Sequence, residues 1–198
     1  MRIVRRADCV TRPWKNGGGI AHRIAISPPD AESDFAWQAN LAEISADGPF
    51  SHYPGIDRHF VIAAGNGVEL KIVADDVAFA QEVRPLQAPF AFRGDWSVHC
   101  RLLDGPTRAF NILTRRGRVG ASVQIAALEA MTVVRKAANE QVVLFFPHGA
   151  VTAHGTWGSA ELGADDAIVM DETEWNEVAL APIGGPLPRY ITARLATP

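Results

Sequence analysis

Within seven residues, Pro13-Trp14-Lys15-Asn16-Gly17-Gly18-Gly19, the chain sets an indole, a cation and an amide beside three successive glycines. These types suit contact with a small anionic or planar ligand. Lys15 can neutralise a carboxylate or phosphate, Asn16 can donate and accept at once, and Trp14 offers a flat wall. Gly17, Gly18 and Gly19 carry no Cβ, so the backbone N–H groups there can approach a bound group closely. The same composition also makes an ordinary turn after an N-terminal strand. The ligand reading gains from three later segments: Asp47 to Arg58 (Asp-Gly-Pro-Phe-Ser-His-Tyr-Pro-Gly-Ile-Asp-Arg), Phe92-Arg93-Gly94-Asp95, and Asp104-Gly105-Pro106 followed by Phe110-Asn111.

Together these segments supply what a site for a small carboxylate needs: a cation to fix the charge, amides to read a polar edge, and aromatic walls to exclude water. The candidate ligand-binding residues are Trp14, Lys15, Asn16, Gly17, Gly18, Phe50, Ser51, Arg58 and Asn111. Arg58 can grip a carboxylate through two parallel hydrogen bonds. Two alternatives stand beside this. Arg58 can instead form a salt bridge to Asp57 or Glu43, and Trp14 and Phe50 can be plain barrel core.

Other chemistries find less support in the sequence. Imidazoles that share a metal favour H-x-H spacing on one strand face, and the six histidines, at 22, 52, 59, 99, 148 and 154, include no such pair. The expectation is therefore no catalytic metal and no cofactor. Ser51 does not lie in a G-x-S-x-G elbow, and neither Cys9 nor Cys100 has a context that marks it as activated. Glu43, His52, His59, Asp57 and Asp95 are candidate bases, with Asp95 expected to cap its turn. The triple glycine lacks the spacing of a dinucleotide-binding loop, and there is no Walker A motif.

Composition narrows the class further. A chain of 198 residues with 47% hydrophobic and 21% charged residues suits a globular protein. A formal net charge of −3 argues against a nucleic-acid backbone as partner, and Arg115-Arg116-Gly117-Arg118 is the main basic cluster. No apolar run approaches the ~18 residues of a membrane span, and the N-terminus has no signal-peptide core, so a cytoplasmic location is expected. Two cysteines without C-x-x-C spacing suggest reduced thiols, with Cys100 buried.

Short strand-like runs separated by turn residues must position the candidate residues. Trp96 to Leu102 alternates apolar and polar residues strictly, as a half-buried strand does. His59–Ala64 and Val68–Val73 flank Gly65-Asn66-Gly67 and read as a hairpin. Further strands are expected at Val142–Phe146, Ala167–Met170, Glu177–Leu180 and Arg189–Leu195. Ile125 to Asn139 has helix-forming residues, but Thr132-Val133-Val134 argues for a strand. The pattern predicts an all-β sandwich or barrel. A faint echo between Gly94-Asp95 with its following strand and Ala164-Asp165-Asp166 with its own fits a duplicated unit.

The glycine segment and the three segments that follow it, over most of the first 120 residues, resemble the HutD/Ves family. The resemblance implies an all-β, bicupin-like double barrel: one domain of two packed cupin-like halves that divide near 115–125. It also implies a role in histidine utilisation, in which the protein restrains the pathway by binding an intermediate such as urocanate or N-formylglutamate. Some members are associated instead with cold or stress response. The chain departs from the family's usual pattern at Gln38-Ala39, where Arg and Ser are usual after the tryptophan, and at Ala109, where an acidic residue is usual. The expected partner is thus a small carboxylate metabolite, with no nucleic acid, no membrane and a homodimer left open. The rival classes are a metal-free isomerase or hydrolase using Glu43, His52 or His59, and an interaction protein that pairs through exposed strand edges.

Overall fold

The computed structural model describes residues 1–14, 17–31, 33–171 and 176–197. They form an all-β chain of nineteen strands, with one three-residue 3₁₀ turn at Arg6–Asp8 as the helical element among the described residues. None of their helices is long and apolar enough to cross a membrane. The chain divides into two compact units, Val10–Val119 and a second made of Met1–Cys9 with Gly120–Pro198.

The Val10–Val119 unit has two antiparallel sheets. The larger runs in the order Val10–Pro13, Gly19–Ser27, Trp37–Ile44, Thr107–Arg115, Ile56–Ala64, Phe90–Arg93. The smaller runs Gly48–Pro49, Ser97–Leu102, Val68–Ala74, Val77–Val83. Period-two patterning explains the core: Phe60 and Ile62, Leu70 and Ile72, and Val98 and Cys100 are alternate residues of three strands, and all six are buried in one cluster. Burying each large apolar side chain contributes roughly 1.5–3 kcal/mol. Cys100 is sealed in this cluster, and its burial pushes the thiol up to about 12, where it is inert at neutral pH.

Gly65-Asn66-Gly67 does not close the expected hairpin. Ile56–Ala64 pairs with Thr107–Arg115 and Phe90–Arg93, whereas Val68–Ala74 pairs with Ser97–Leu102 and Val77–Val83, so the turn is a corner between sheets. Its glycines serve close approach as well as positive φ: a Cβ at Gly65 would sit 2.4 Å from Thr107 Oγ1, and one at Gly67 would sit 2.4 Å from the Val83 carbonyl. Thr107 ties the corner down by accepting from Gly67 N–H and donating to the Ala64 carbonyl. A two-residue hairpin instead forms at Asp75-Asp76, both at positive φ, where Ala74 opposes Val77.

The second unit also has two antiparallel sheets. One runs Arg2–Val4, Ala167–Met170, Glu140–His148, Arg189–Ala196, Gly120–Ala127, and the other Thr132–Arg135, Glu177–Ile183, Ala150–Gly155, Gly158–Leu162. The segment with mixed signals, 125–139, contributes to two strands, since the β-branched Thr132-Val133-Val134 run fits a pleated surface. Arg2–Val4 joins this unit by pairing with Ala167–Met170. The following turn is held by the Asp166 carboxylate, which accepts from Arg5 Nη1 at 2.7 Å and from Arg6 N–H at 3.0 Å. Val142, Leu144, Phe146, Leu162, Ile168 and Leu180 fill the interior.

Candidate functional site

A cavity of about 550 Å³ opens in the Val10–Val119 unit. Its floor is one face of the larger sheet, so alternate residues line it: Ala21 and Arg23 on one strand, Gln38, Asn40 and Ala42 on the next, Asn111 and Leu113 on the third, and Arg58 on the fourth. The register sets two rows. Arg23, Asn40 and Asn111 lie side by side on three neighbouring strands, and Gln38, Leu113 and Arg58 make the second row. Phe50, Ser51, His52 and Tyr53 line it from the loop that precedes Ile56–Ala64, and Trp14 and Phe35 add aromatic wall.

Arg58 has the most unusual environment. It is buried, its Nη2 donates to Asn111 Oδ1 at 3.1 Å, and its Nε has no hydrogen-bond partner among the described residues. Its guanidinium carbon lies 4.8 Å from the ring centroid of Phe92, 5.1 Å from that of Phe50 and 5.8 Å from that of Tyr53. The π faces offset part of the lost hydration. Burial still pulls the guanidinium down to about 10, against a smaller opposing contribution from Tyr53, so the group stays charged at neutral pH. The two carboxylates named as alternative partners for it are engaged elsewhere. Asp57 receives Arg116 at 2.8 Å, and Glu43 meets His22 Nε2 at 3.0 Å. Asn111 is itself oriented, because its Nδ2 donates to the Ala109 carbonyl at 3.2 Å and turns Oδ1 toward Arg58.

Arg12 and Arg23 also line the cavity, while no Asp or Glu does so among the described residues. In a cavity partly withdrawn from water an excess of positive charge attracts an anion more strongly than the same charge does in open solvent.

The aromatic loop is tied from behind. Phe50 N–H donates to the Val98 carbonyl and Tyr53 N–H to the Gly94 carbonyl, each at 2.8 Å. The Asp95 carboxylate accepts from Gly55 N–H at 3.0 Å and from Arg116 Nη2 at 2.7 Å. Those bonds, Arg116 first, hold the Asp95 carboxyl below its ordinary range. His52 Nε2 donates to the Asp95 carbonyl at 2.9 Å. A Cβ at Gly94 would lie 2.6 Å from the Tyr53 carbonyl, so this approach requires glycine.

Of the residues selected from sequence, Trp14, Phe50, Ser51, Arg58 and Asn111 meet around the one cavity. Lys15 and Asn16 lie outside the described residues. Gly17 and Gly18 do not line it: Gly17 N–H bonds the Trp14 carbonyl, and the Gly18 carbonyl accepts from Ser45 N–H at 3.1 Å. The glycine run serves the turn and the packing of Trp14, since a Cβ at Gly19 would come within 3.2 Å of the indole and 2.3 Å of the Glu43 carbonyl. Trp14 and Phe50 are also core residues, with rings edge to face at 6.1 Å. Of the candidate bases, His52 lines the cavity, whereas Glu43, His59, Asp57 and Asp95 do not.

Sequence reading missed Arg23, Gln38, Asn40 and Tyr53. The signal was the alternation Gln38, Asn40, Ala42, which puts polar side chains on the inward face of an otherwise buried strand. No three His, Cys, Asp or Glu side chains converge in a metal-binding arrangement among the described residues.

A family model described as HutD matches residues 6–184. An uncharacterised 21.2 kDa protein in the hutC 3′ region of Pseudomonas putida is 32% identical over 124 residues, 63% of either chain. Protein Ves of Citrobacter koseri is 39% identical over 114 residues, 57% of either chain. The match thus spans less than two thirds of the length of these curated relatives. Solved structures match over nearly the whole chain. A conserved protein of unknown function from Pseudomonas aeruginosa PAO1 is 28% identical with a TM-score of 0.85, covering 98% of both chains. HutD from Pseudomonas fluorescens SBW25, in a formate condition, is 28% identical with a TM-score of 0.81, covering 100% of this chain and 98% of that one. Oxalate decarboxylase from Lactobacillus farciminis, a formate complex, is 7% identical with a TM-score of 0.68, covering 98% and 85%. That last likeness shows a shared bicupin fold.

Proposed function

The chain belongs to the HutD family, and from that premise we propose that its cavity binds a small carboxylate metabolite of histidine utilisation, urocanate or N-formylglutamate, and thereby restrains flux through the pathway. The observation that carries this reading is Arg58: a buried guanidinium lining the cavity, with an unpartnered Nε, one amide acceptor and no carboxylate of its own among the described residues. Such a cation is stabilised when an anion arrives. Trp14, Phe50 and Tyr53 supply a wall for a planar or short-chain body, and Asn40 and Asn111 offer amides to its polar edge. Lys15 and Asn16 remain candidate ligand-binding residues on their side-chain chemistry.

Thermal unfolding against histidine, urocanate, formiminoglutamate and N-formylglutamate, with and without EDTA, tests the proposal. A ligand at 100 times its dissociation constant adds about 2.7 kcal/mol, a clear rise in midpoint. The expected result is a saturable rise with urocanate or N-formylglutamate, absent in Arg58→Ala and unchanged by EDTA. No shift with any of the four compounds would overturn it.

A further inference from the structure

Arg23 lines the same cavity as Arg58 and is half-buried, and its side chain makes no hydrogen bond or ion pair with any described residue. The Arg58 side chain makes a single hydrogen bond among the described residues, to Asn111. The backbones of the two strands that carry them lie three strand spacings apart, roughly 14 Å, with Asn40 and Asn111 on the strands between. The two guanidiniums therefore enter the cavity from opposite sides of an amide pair. No Asp or Glu lines the cavity among the described residues.

The smaller concavity of about 320 Å³ in the same unit contrasts with this. It is lined by Glu43 and Arg108, which face each other directly across the register, so its charges are matched. Unmatched positive charge belongs to the larger cavity. A monocarboxylate on Arg58 would satisfy one of its two poles and leave Arg23 facing a partly desolvated space without an anion.

From this arrangement, and resting on the carboxylate-site reading above, we infer that the preferred ligand class is a short dicarboxylate. One carboxylate sits on Arg58 beside Asn111, the other on Arg23, and the connecting chain runs past the two asparagine amides. Arg58 sets affinity for either kind of acid, and Arg23 sets the preference for the second negative charge.

Calorimetric titration of the full chain with succinate, glutarate and adipate, each against its own monoamide, separates the two roles. These pairs keep length and shape while removing one charge. At least one dicarboxylate is expected to bind about tenfold or more tightly than its monoamide. In Arg23→Gln that ratio falls to near one because the dicarboxylate loses more affinity than the monoamide, and Arg23→Lys retains part of the preference. Arg58→Gln weakens both members of the pair. A wild-type ratio near one, or equal weakening of both members in Arg23→Gln, overturns the dicarboxylate assignment and leaves the carboxylate site standing. Failure of every compound to bind at millimolar concentration overturns the site itself, and this inference with it. A melting midpoint for Arg23→Gln within a degree or two of wild type confirms that a loss of preference is not a loss of fold.

Discussion

The two units have similar architectures and opposite interiors. In the unit made of Met1–Cys9 and Gly120–Pro198, the strand Glu140–His148 turns Val142, Leu144 and Phe146 into a closed apolar cluster. In the Val10–Val119 unit, the strand Trp37–Ile44 presents Gln38, Asn40 and Ala42 to an open cavity, and of that face Ala42 and Ile44 reach the apolar cluster. The fold can thus be filled with hydrocarbon from wall to wall. Where it is not, polar and cationic residues occupy positions that packing alone would give to Leu or Val. One interior is packed for stability, and the other, on the proposed reading, gives up some stability for a ligand.

Mutations on the two sides should separate these roles. Phe146→Ala, in the filled interior, is expected to destabilise the protein by about 3–5 kcal/mol while leaving the intrinsic carboxylate affinity of the folded protein unchanged. Denaturant unfolding and calorimetry on the same sample check both halves, and an affinity loss would break the contrast. Arg58→Met should reduce carboxylate affinity by about 100-fold or more, close to the loss of a buried charge-assisted contact. Asn40→Leu makes the open interior more like the filled one. It should weaken binding several-fold and keep or raise the melting midpoint, and a sharp fall in the midpoint would show that Asn40 is needed by the fold itself.

The smallest effect concerns the aromatic loop. Because the Asp95 carboxyl is held below its ordinary value, the contribution of its bonds to Arg116 and Gly55 is fully present above pH ~4. It is lost as pH falls through the depressed value of the folded state. Asp95→Asn should remove that acid-side dependence and weaken ligand binding by a factor of a few at neutral pH, through looser placement of Tyr53 and His52. Tyrosine fluorescence and titration against pH check this. An unchanged profile in Asp95→Asn would mean that the backbone bonds to Gly94 and Val98 hold the loop unaided.

Much of this was legible in the sequence because strand periodicity is local. Trp96 to Leu102 and Ala167 to Met170 could be read from alternation or apolar runs without knowing their neighbours. The Gly65-Asn66-Gly67 turn misled because a hairpin and a corner between sheets use the same residues. What distinguishes them is Thr107 and Val83, distant in sequence, pressing against the glycines. Arg58 and Asn111 were visible through their motifs. Arg23 and Asn40 were not, since their place in the cavity depends on a register across three strands. The Gly17-Gly18 pair reads as a ligand cradle from its lack of Cβ atoms; in the structure Gly17 N–H bonds the Trp14 carbonyl and the Gly18 carbonyl accepts from Ser45 N–H, partners the sequence does not announce.

The central claim is that Arg58 is an unmatched buried cation kept for an anion. Burial pulls its guanidinium from its ordinary value down to about 10 on folding, so the unfolded chain holds the proton more tightly and the charge destabilises the ligand-free fold at every pH below that value. The size of that shift corresponds to a cost on the order of 3 kcal/mol, partly offset by the aromatic rings around it. The most direct measurement is therefore the melting midpoint of ligand-free Arg58→Met beside wild type, each with and without saturating N-formylglutamate. The account predicts that the ligand-free variant melts a few degrees higher than wild type and that the ligand raises only wild type. A ligand-free variant that melts well below wild type, with the ligand raising both equally, would make Arg58 a structural residue and contradict the account.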